Sequence, residues 1–367
     1  MGAPAWSREN ATEQNRQEPL RATEQWASVS LPMEGGQSYL SFFGLLEEPF
    51  APTADPSYFY ATREHRECLF RLWHSVDARH GIAVILGNYG TGKTALLRKL
   101  LTGMAAAKDR YITAIVGSPI PSWTSFALLE TVVDQFRLQP SRRSFGAYME
   151  ALNRYLLLNR DHVCTLIIDD AQNLNKRGQL ELLRLAQNLE THQHKLLNLV
   201  FFAQLEWIEV LRAAPNFEQR ISLTYTLKPV PLDETRYLIE FRVRQAGGTS
   251  ERRPSFDDGA LRVIHSYAEG NPRVIVTLCR NALLVASQIK TRQIGSEIIL
   301  HTIEKTTVPD AEKRARAVAA VRLAPTANTT VPLRRDERGR RDQAINVGSP
   351  REKRAAELLL KAAEKRG

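Results

Sequence analysis

Short apolar runs alternate with amphipathic stretches through the middle of the chain. The runs have the length of strands, and the stretches between them repeat their apolar positions every three to four residues, as helices do. The predicted strands are Ile82–Leu86, Tyr111–Val116, Cys164–Ile168, Leu199–Phe202 and Ile221–Leu227. The predicted helices between them are Lys93–Ala106, Ser122–Phe136, Phe145–Leu158, Gly178–Thr191 and Glu206–Ala213. This alternation predicts an α/β fold with a parallel five-stranded sheet that is covered on both faces.

The alternation ends near Pro229, and only helical patterns follow it. These patterns predict a second, all-helical domain; they are Leu232–Ala246, Asp257–Glu269, Pro272–Ile289 and Ser296–Lys305. Residues 1–37 are polar without a sustained period, and residues 309–367 are rich in Arg and Ala and broken by prolines, so both are predicted to be flexible tails. The predicted domains are therefore an α/β domain over 38–229 and a helical domain over 230–308.

A glycine-rich pattern connects the first predicted strand to the helix after it. Residues 87–95 fit G-x-x-x-x-G-K-[ST] and continue into the helix; they are Gly87, Asn88, Tyr89, Gly90, Thr91, Gly92, Lys93, Thr94 and Ala95. Glycines let backbone N–H groups turn toward phosphates, and the helix N-terminus adds partial positive charge. Lys93 is the candidate ligand of the β- and γ-phosphates, and the Thr94 hydroxyl that of Mg²⁺. A chance lysine in a glycine-rich turn would not explain the flanking strand and helix, so the pattern predicts binding of ATP with Mg²⁺.

Two adjacent aspartates follow the third predicted strand. Asp169 and Asp170 come directly after it, and no other apolar strand pattern in the sequence ends in paired acids. A P-loop site needs a carboxylate at the end of a neighbouring strand to hold the metal. Asp169 is therefore the candidate Mg²⁺ ligand, and Asp170 the candidate base that orients and deprotonates a water molecule. The alternative interpretation is a pair of aspartates that caps the following helix.

Composition and charge narrow the class of protein without naming a partner. Three widely spaced cysteines disfavour a disulfide scaffold and a cysteine zinc site. The longest unbroken apolar run is five residues, whereas a membrane-spanning helix needs about 20, so a cytoplasmic protein without membrane insertion is predicted. Much of the net charge of +10 lies in residues 309–367, where fifteen Lys and Arg face eight Asp and Glu.

Several segments, in order, resemble the ExeA/GspA family of ATPases. They are the P-loop, the run Asp169-Asp170-Ala171-Gln172-Asn173-Leu174, the lead-in from Tyr39 to His65, and Gly270-Asn271-Pro272-Arg273-Val274-Ile275. The resemblance covers about residues 38–300 and implies an AAA+ core followed by a small helical lid. The wider AAA+ group includes the transposition ATPases MuB, TnsC and TniB.

The resemblance implies roles for residues outside the P-loop. Gln204, after the fourth strand, would be the sensor-1 residue, and Arg273 would be the sensor-2 arginine that reaches the nucleotide from the lid. Arg220 would be the arginine finger that enters a neighbouring subunit's site, with Arg212 as its rival. Such a finger contributes several powers of ten to turnover, so hydrolysis is expected to require self-assembly into a ring or filament.

The lead-in and two departures from the family complete the predicted site. Pro49, Phe50 and the residues from Tyr60 to His65 would line the adenine pocket. The family's acidic pair is usually Asp-Glu; Asp170 is shorter by one C–C bond, about 1.5 Å. A misplacement of about 1 Å can cost on the order of 100-fold in rate, so slow hydrolysis with intact ATP binding is expected. Gln204 lies between Ala203 and Leu205, where the family has Gly-Gln-Pro, which weakens its assignment.

Two functions remain at this level. In the first, the protein is a DNA-associated switch that ATP assembles on double-stranded DNA, where it recruits or activates a client such as a transposase. In the second, it supports secretion or envelope assembly through a separate membrane protein. ExeA/GspA proteins carry a membrane helix after the ATPase, and the sequence contains none, so the first function is favoured. The basic residues 309–367 are interpreted as a solvated tail, as a contact to DNA phosphates or as a docking segment for a partner.

Overall fold

The computed structural model of the protein describes residues 39–53 and 55–322. The main sheet consists of β1 (Ile82–Leu86), β2 (Tyr111–Val116), β3 (Val163–Ile168), β4 (Leu197–Ala203) and β5 (Ile221–Thr226). The helices up to the end of this sheet are α1 (Tyr39–Phe43), α2 (Arg63–Asp77), α3 (Lys93–Ala106), α4 (Ser125–Gln135), α5 (Phe145–Leu158), α6 (Arg177–Gln187), α7 (Trp207–Arg212) and α8 (Pro215–Glu218). Two short 3-10 turns span Pro56–Tyr58 and Ala171–Asn173. Each predicted strand is present, with ends that differ from the prediction by at most two residues.

The main sheet is parallel throughout, in the order β2-β3-β4-β1-β5. Strands β1, β3 and β4 are buried along their whole length, whereas β5, at the edge, alternates half-buried and exposed residues. Helices on both faces account for this burial, as predicted from the apolar runs. The α/β fold with a parallel five-stranded sheet is confirmed. Because all strands run the same way, the residues that follow β1, β3 and β4 meet at one edge of the sheet.

Alternate residues of β1 enter two different apolar cores. Ile82, Val84 and Leu86 pack in a core with α4, α5, α6 and α7, whereas Ala83 and Ile85 pack in a core with α2 and α3. Successive side chains of a strand point to opposite faces, so the two cores lie on the two sides of the sheet. Burial of one such large aliphatic side chain contributes about 1.5–3 kcal/mol, which makes the central strands a rigid base for the loops at their ends.

The lid contains four helices and a short pair of strands. It consists of α9 (Leu232–Gln245), β6 (Ser255–Phe256), α10 (Asp258–Ala268), α11 (Pro272–Gln288), β7 (Gln293–Ile294) and α12 (Ser296–Thr306). Strands β6 and β7 pair in parallel. The predicted helical region is confirmed by these four helices, whereas the prediction that no strand follows Pro229 is wrong for this pair. Strands of two residues are too short to produce a hydrophobic period, which explains why the sequence pattern does not reveal them.

The lead-in before α2 packs into the core of the lid. Phe43, Phe50 and Tyr58 are buried in the same apolar cluster as the helices α9 to α12. The Arg242 guanidinium of α9 donates a hydrogen bond of 2.8 Å to the carbonyl oxygen of Pro49. The predicted boundaries place the lead-in with the α/β domain. Its aromatic side chains predict burial, but no periodicity indicates which core they enter.

One helix lies in the segment that is predicted to be a flexible tail. Helix α13 (Ala311–Arg322) packs against α10, and Ala317 is fully buried in the lid cluster. The Asp310 carboxylate accepts a hydrogen bond from the backbone N–H of Lys313, as an N-cap does. The prediction of a tail from residue 309 onward is thus wrong for this helix, which its alanines and its N-cap favour. The predicted tails over 1–37 and 323–367 lie outside the described residues.

Two further expectations concern cysteines and membrane spans. Cys68, Cys164 and Cys279 are all buried and free, consistent with small core residues. Over residues 39–53 and 55–322, no helix combines the length and the apolar character needed to cross a bilayer.

Candidate nucleotide-binding site

The loop between β1 and α3 has a backbone that requires glycine at two positions. Gly90 and Gly92 have φ angles of 81° and 96°, in the left-handed region that side chains with a Cβ rarely adopt. A Cβ at Gly90 would lie 2.5 Å from Asn271 Oδ1 of the lid, and a Cβ at Gly92 would lie 2.9 Å from His65 Nε2 of α2. The loop is therefore shaped by its turn and by two close neighbours. It ends at the N-terminus of α3, where backbone N–H groups suit an anion.

The Lys93 side chain folds back into this loop. It is 8% exposed, and its Nζ donates hydrogen bonds of 2.7 Å to the carbonyl oxygen of Gly87 and 3.1 Å to that of Asn88. Burial lowers the pKa of Lys93, and the nearby carboxylates of Asp169 and Asp170 oppose that shift. A buried ammonium that is bound to neutral carbonyls gains a stronger partner when a phosphate enters the loop.

The candidate metal ligands are in direct contact. The Thr94 hydroxyl donates a hydrogen bond of 3.1 Å to Asp169 Oδ2, and Asp169 is 6% exposed. Burial raises the pKa of Asp169, and its hydrogen bonds from the Asp170 backbone N–H and from Thr94 oppose the rise. A hydroxyl and a carboxylate are hard oxygen donors of the kind that Mg²⁺ prefers, and a divalent cation would remove the cost of burying this charge. The residues present therefore fit Mg²⁺.

Asp170 has an unusual backbone. Its φ and ψ are 50° and 40°, a left-handed conformation that costs a residue with a Cβ roughly 1–2 kcal/mol. Its side chain makes no capping bond to the 3-10 turn that follows, which counts against the capping interpretation for this residue. Instead, its Oδ1 accepts a hydrogen bond of 3.1 Å from Gln172 Nε2. The carboxylate is held beside the candidate metal ligand without serving as a helix cap.

Gln204 follows β4, between the end of β3 and the P-loop in the strand order. Its backbone N–H donates a hydrogen bond of 3.2 Å to Gln172 Oε1. Gln172 therefore touches both the acidic end of β3 and the residue after β4. In the sequence, Gln172 is visible only as part of a family motif, and its position two residues after Asp170 is the clue to this contact.

Side chains of the lid are hydrogen-bonded to the tip of the P-loop. Asn271 Nδ2 donates a hydrogen bond of 2.7 Å to the carbonyl oxygen of Tyr89, and the Arg273 guanidinium donates to the Tyr89 hydroxyl. The Arg273 guanidinium carbon also lies 4.8 Å from the centroid of the Tyr89 ring, in cation–π range. The structure thus brings Arg273 to the P-loop, and its role as sensor 2 stays a prediction.

Helix α2 forms a second bridge between the P-loop and the lid. His65 Nε2 lies 2.9 Å from the carbonyl oxygen of Thr91, which only accepts, so Nε2 carries the proton and Nδ1 accepts from the Thr62 hydroxyl at 2.8 Å. Burial lowers the pKa of His65, which favours this neutral form. The Glu234 carboxylate of α9 accepts a hydrogen bond of 2.8 Å from the backbone N–H of Arg63. His65, predicted near the adenine pocket, therefore supports the loop itself.

Two predicted pocket residues are not at a surface. Phe50 is 1% exposed and packs edge-on against Phe256, with ring centroids 6.2 Å apart. Pro49 is also buried. Phe50 packs into the lid core in this structure, and a role for either residue in contacting adenine stays a prediction.

Arg220 lies apart from the P-loop within its own chain. It directly precedes β5, whose first residue pairs with Ile82 at the amino end of β1, whereas the P-loop follows the carboxyl end of β1. Its guanidinium donates to Gln187 Oε1 at 3.3 Å and to Asn188 Oδ1. The rival Arg212 pairs with Glu209 at 2.7 Å on the surface. A role for Arg220 in a neighbouring subunit stays a prediction.

The parallel sheet, the P-loop and the lid contacts define an AAA+ P-loop protein. Residues 76–211 match the family model of the AAA domain, which agrees with this class. The chain resembles General secretion pathway protein A of Aeromonas hydrophila, with 34% identity over 254 residues. That match covers 68% of this chain and 45% of the relative, so it spans about half of the relative's length. The resemblance to the ExeA/GspA family is confirmed.

Several solved structures have a fold similar to that of this chain. ORC2 of Aeropyrum pernix, in ADPNP and ADP complexes, has 17% identity and a TM-score of 0.53, covering 72% of this chain and 73% of its own. CDC6P of Pyrobaculum aerophilum has 19% identity and a TM-score of 0.54, covering 73% of each chain. Drosophila ORC bound to DNA has 16% identity and a TM-score of 0.54, covering 87% of this chain and 74% of its own. At these identities the similarity concerns the fold alone.

Proposed function

We propose that the protein binds ATP with Mg²⁺ and hydrolyses it slowly, as a switch in which the lid responds to the P-loop. The observation that carries this proposal is the convergence of Lys93, Thr94 and Asp169 at the end of β1 and β3, with Thr94 bonded to Asp169 at 3.1 Å. The match to the AAA domain family model and the 34% identity to General secretion pathway protein A support this proposal.

Each residue has a defined part in this function. Lys93 exchanges the carbonyl oxygens of Gly87 and Asn88 for phosphate oxygens, while Thr94 and Asp169 hold the cation. Mg²⁺, when bound, supplies positive charge that stabilises the phosphates as negative charge develops. The Asp170 carboxylate orients a water molecule and accepts its proton.

Arg273 is proposed as the sensor that reads the nucleotide from the lid. In this structure its guanidinium is engaged by Tyr89, at the mouth of the same loop. A phosphate is a stronger partner for a guanidinium than a neutral phenol ring. Nucleotide binding would therefore release Tyr89 and tighten the lid on the loop. Gln204, whose backbone contacts Gln172, is proposed as the sensor-1 residue.

Hydrolysis is proposed to depend on self-assembly, because the candidate finger Arg220 does not reach its own P-loop. Phosphate release is measured at saturating Mg²⁺-ATP over a range of protein concentrations. The rate per chain is expected to rise with concentration for the wild type and to stay low for Arg220→Ala. Arg212→Ala, which removes the rival candidate, a surface arginine paired with Glu209, is measured in parallel and is expected to keep the wild-type rate. A concentration-independent rate, or equal loss in both variants, would contradict assembly through Arg220.

We propose that this ATPase supports a secretion or envelope-assembly system through a separate membrane protein. The similarity to General secretion pathway protein A favours this function over the DNA-associated function expected from the sequence. The similarity to DNA-bound ORC is one of fold, at 16% identity, and gives no support to a DNA or transposase partner.

Paired binding assays distinguish a membrane-protein partner from a DNA partner. Native membrane vesicles from the source organism and vesicles stripped of protein by protease are sedimented with the protein in ATP or ADP. The wild type is expected to bind native vesicles but not stripped vesicles, and only in ATP. Lys93→Ala should lose this binding. Electrophoresis with duplex DNA at low salt is expected to show no ATP-dependent complex. The opposite pattern, a salt-sensitive DNA complex that requires ATP, would contradict the secretion function.

Any tail deletion for these assays should begin after Arg322, because α13 packs on the lid.

A further inference from the structure

The side chain of Gln172 joins the ends of two neighbouring strands. Its Nε2 donates a hydrogen bond of 3.1 Å to Asp170 Oδ1, and its Oε1 accepts one of 3.2 Å from the backbone N–H of Gln204. A carboxylate only accepts and a backbone N–H only donates, so both bonds exist in one orientation of the amide. Reversal of the amide would break both contacts. The orientation of Gln172 is therefore fixed from both sides.

The same link extends to the P-loop. The residue before Gln204 is Ala203, whose carbonyl oxygen accepts a hydrogen bond of 3.2 Å from the backbone N–H of Gly87. Gly87 is the first residue of the phosphate-binding loop. A continuous series of hydrogen bonds thus runs from the start of that loop, across the end of β4, to the carboxylate of Asp170.

The Asp170 carboxylate, the candidate base, needs a hydrogen bond of this kind to keep one orientation. An Asp side chain is free to occupy several staggered rotamers, and only some of them point its carboxylate toward a given water molecule. Asp170 projects from a left-handed backbone, so its direction differs from that of a residue that simply continues the strand. Among the residues that the structure describes, Gln172 is the side chain that hydrogen-bonds this carboxylate.

We infer that Gln172 is a positioning residue for ATP hydrolysis, which holds the Asp170 carboxylate and ties it to the strand end that carries Gln204. Gln172 acts through Asp170 and does not bind the nucleotide. Its loss therefore lowers kcat and leaves ATP affinity intact. This inference rests on the proposed ATPase function.

The first test separates kcat from binding. Gln172→Ala is expected to lower kcat by about 10- to 100-fold, the range for a misplaced reacting group, with the Kd for ATP unchanged within about twofold. Gln172→Glu keeps the size and the acceptor but places a carboxylate against Asp170, so it is also expected to lose kcat. The matched control is Asn173→Ala, in the same 3-10 turn, which should keep wild-type kcat. Thermal unfolding of each variant checks that the fold is retained.

A double-mutant cycle with Asp170 decides the mechanism. Asp170→Ala removes the group through which Gln172 acts, so Gln172→Ala in that background should cause no further loss of kcat. Two losses that multiply, or a normal kcat for Gln172→Ala with Asp170 intact, would overturn the positioning role. A wild-type protein that binds ATP without hydrolysing it would overturn the proposed function and this inference with it.

Discussion

Asn271 has two structural roles that two substitutions separate. Its Oδ1 accepts hydrogen bonds from the backbone N–H groups of Arg273 (3.0 Å) and Val274 (3.4 Å), which caps helix α11. Its Nδ2 donates to the carbonyl oxygen of Tyr89 at 2.7 Å, which fastens the lid to the P-loop. Asn271→Ala removes both roles. Asn271→Asp keeps the capping oxygen and removes the donor.

The magnitudes follow from the two contacts. Loss of an N-cap costs about 0.5–2 kcal/mol, and loss of a hydrogen bond such as that to Tyr89 costs about 0.5–1.5 kcal/mol. Asn271→Ala should therefore lower the free energy of unfolding by about 1–3.5 kcal/mol. Asn271→Asp should lose only the second contribution, and the new charge at the helix N-terminus offsets about 0.3–1 kcal/mol of it.

Urea unfolding at neutral pH, followed by circular dichroism, measures both variants. The expected order of the free energy of unfolding is wild type, then Asn271→Asp, then Asn271→Ala, with equal dependence on urea. Equal losses in the two variants would contradict the capping role. An unchanged free energy in Asn271→Ala would refute the whole account of this contact.

Three further predictions concern catalysis, packing and pH. Asp170→Glu restores about 1.5 Å of reach and should raise kcat by up to about 100-fold in steady-state phosphate release; an equal or lower kcat would show that length is not limiting. Trp207→Phe removes the donor to the buried carbonyl of Leu174 (3.0 Å) and should cost about 1–3 kcal/mol in urea unfolding, and no loss would contradict that bond. Burial holds the pKa of His65 below its ordinary value of about 6.5. Below that pH the unfolded chain binds a proton at His65 more readily than the folded chain does, so the free energy of unfolding falls as pH drops through about 6.5. His65→Gln should flatten that fall, and an unchanged pH profile would exclude this origin.

The sequence predicts the sheet and its P-loop because both leave a local pattern. Buried parallel strands are continuously apolar, and the turn that holds phosphate needs glycine at Gly90 and Gly92, whose φ angles are positive. The sequence does not predict the strand order; the structure places β4 between β1 and β3, and Asp169 lies beside Thr94 at the ends of these strands. The strands and the P-loop themselves follow from short stretches of chain.

Other features depend on contacts between distant residues, which no local pattern specifies. Phe50 is aromatic in a proline-rich segment, and only the folded chain shows that it enters the lid core. Helix α13 has Ala and Val as its apolar residues and no larger ones, so its composition does not reveal that Ala317 packs against α10. Gln172 lies in a recognisable motif, but the direction of its amide depends on Gln204, which is 32 residues further along the chain.

Titration calorimetry with Mg²⁺-ATP tests the central claim most directly. The wild type is expected to bind one ATP per chain. Lys93→Ala should bind about 10-fold or more weakly, because a charge-assisted hydrogen bond to phosphate is worth roughly 1.5–3 kcal/mol. Removal of Mg²⁺ with a chelator should also weaken binding to the wild type. A wild type that binds no ATP, or a Lys93→Ala variant with undiminished affinity, would contradict the assignment of this loop as an ATP site.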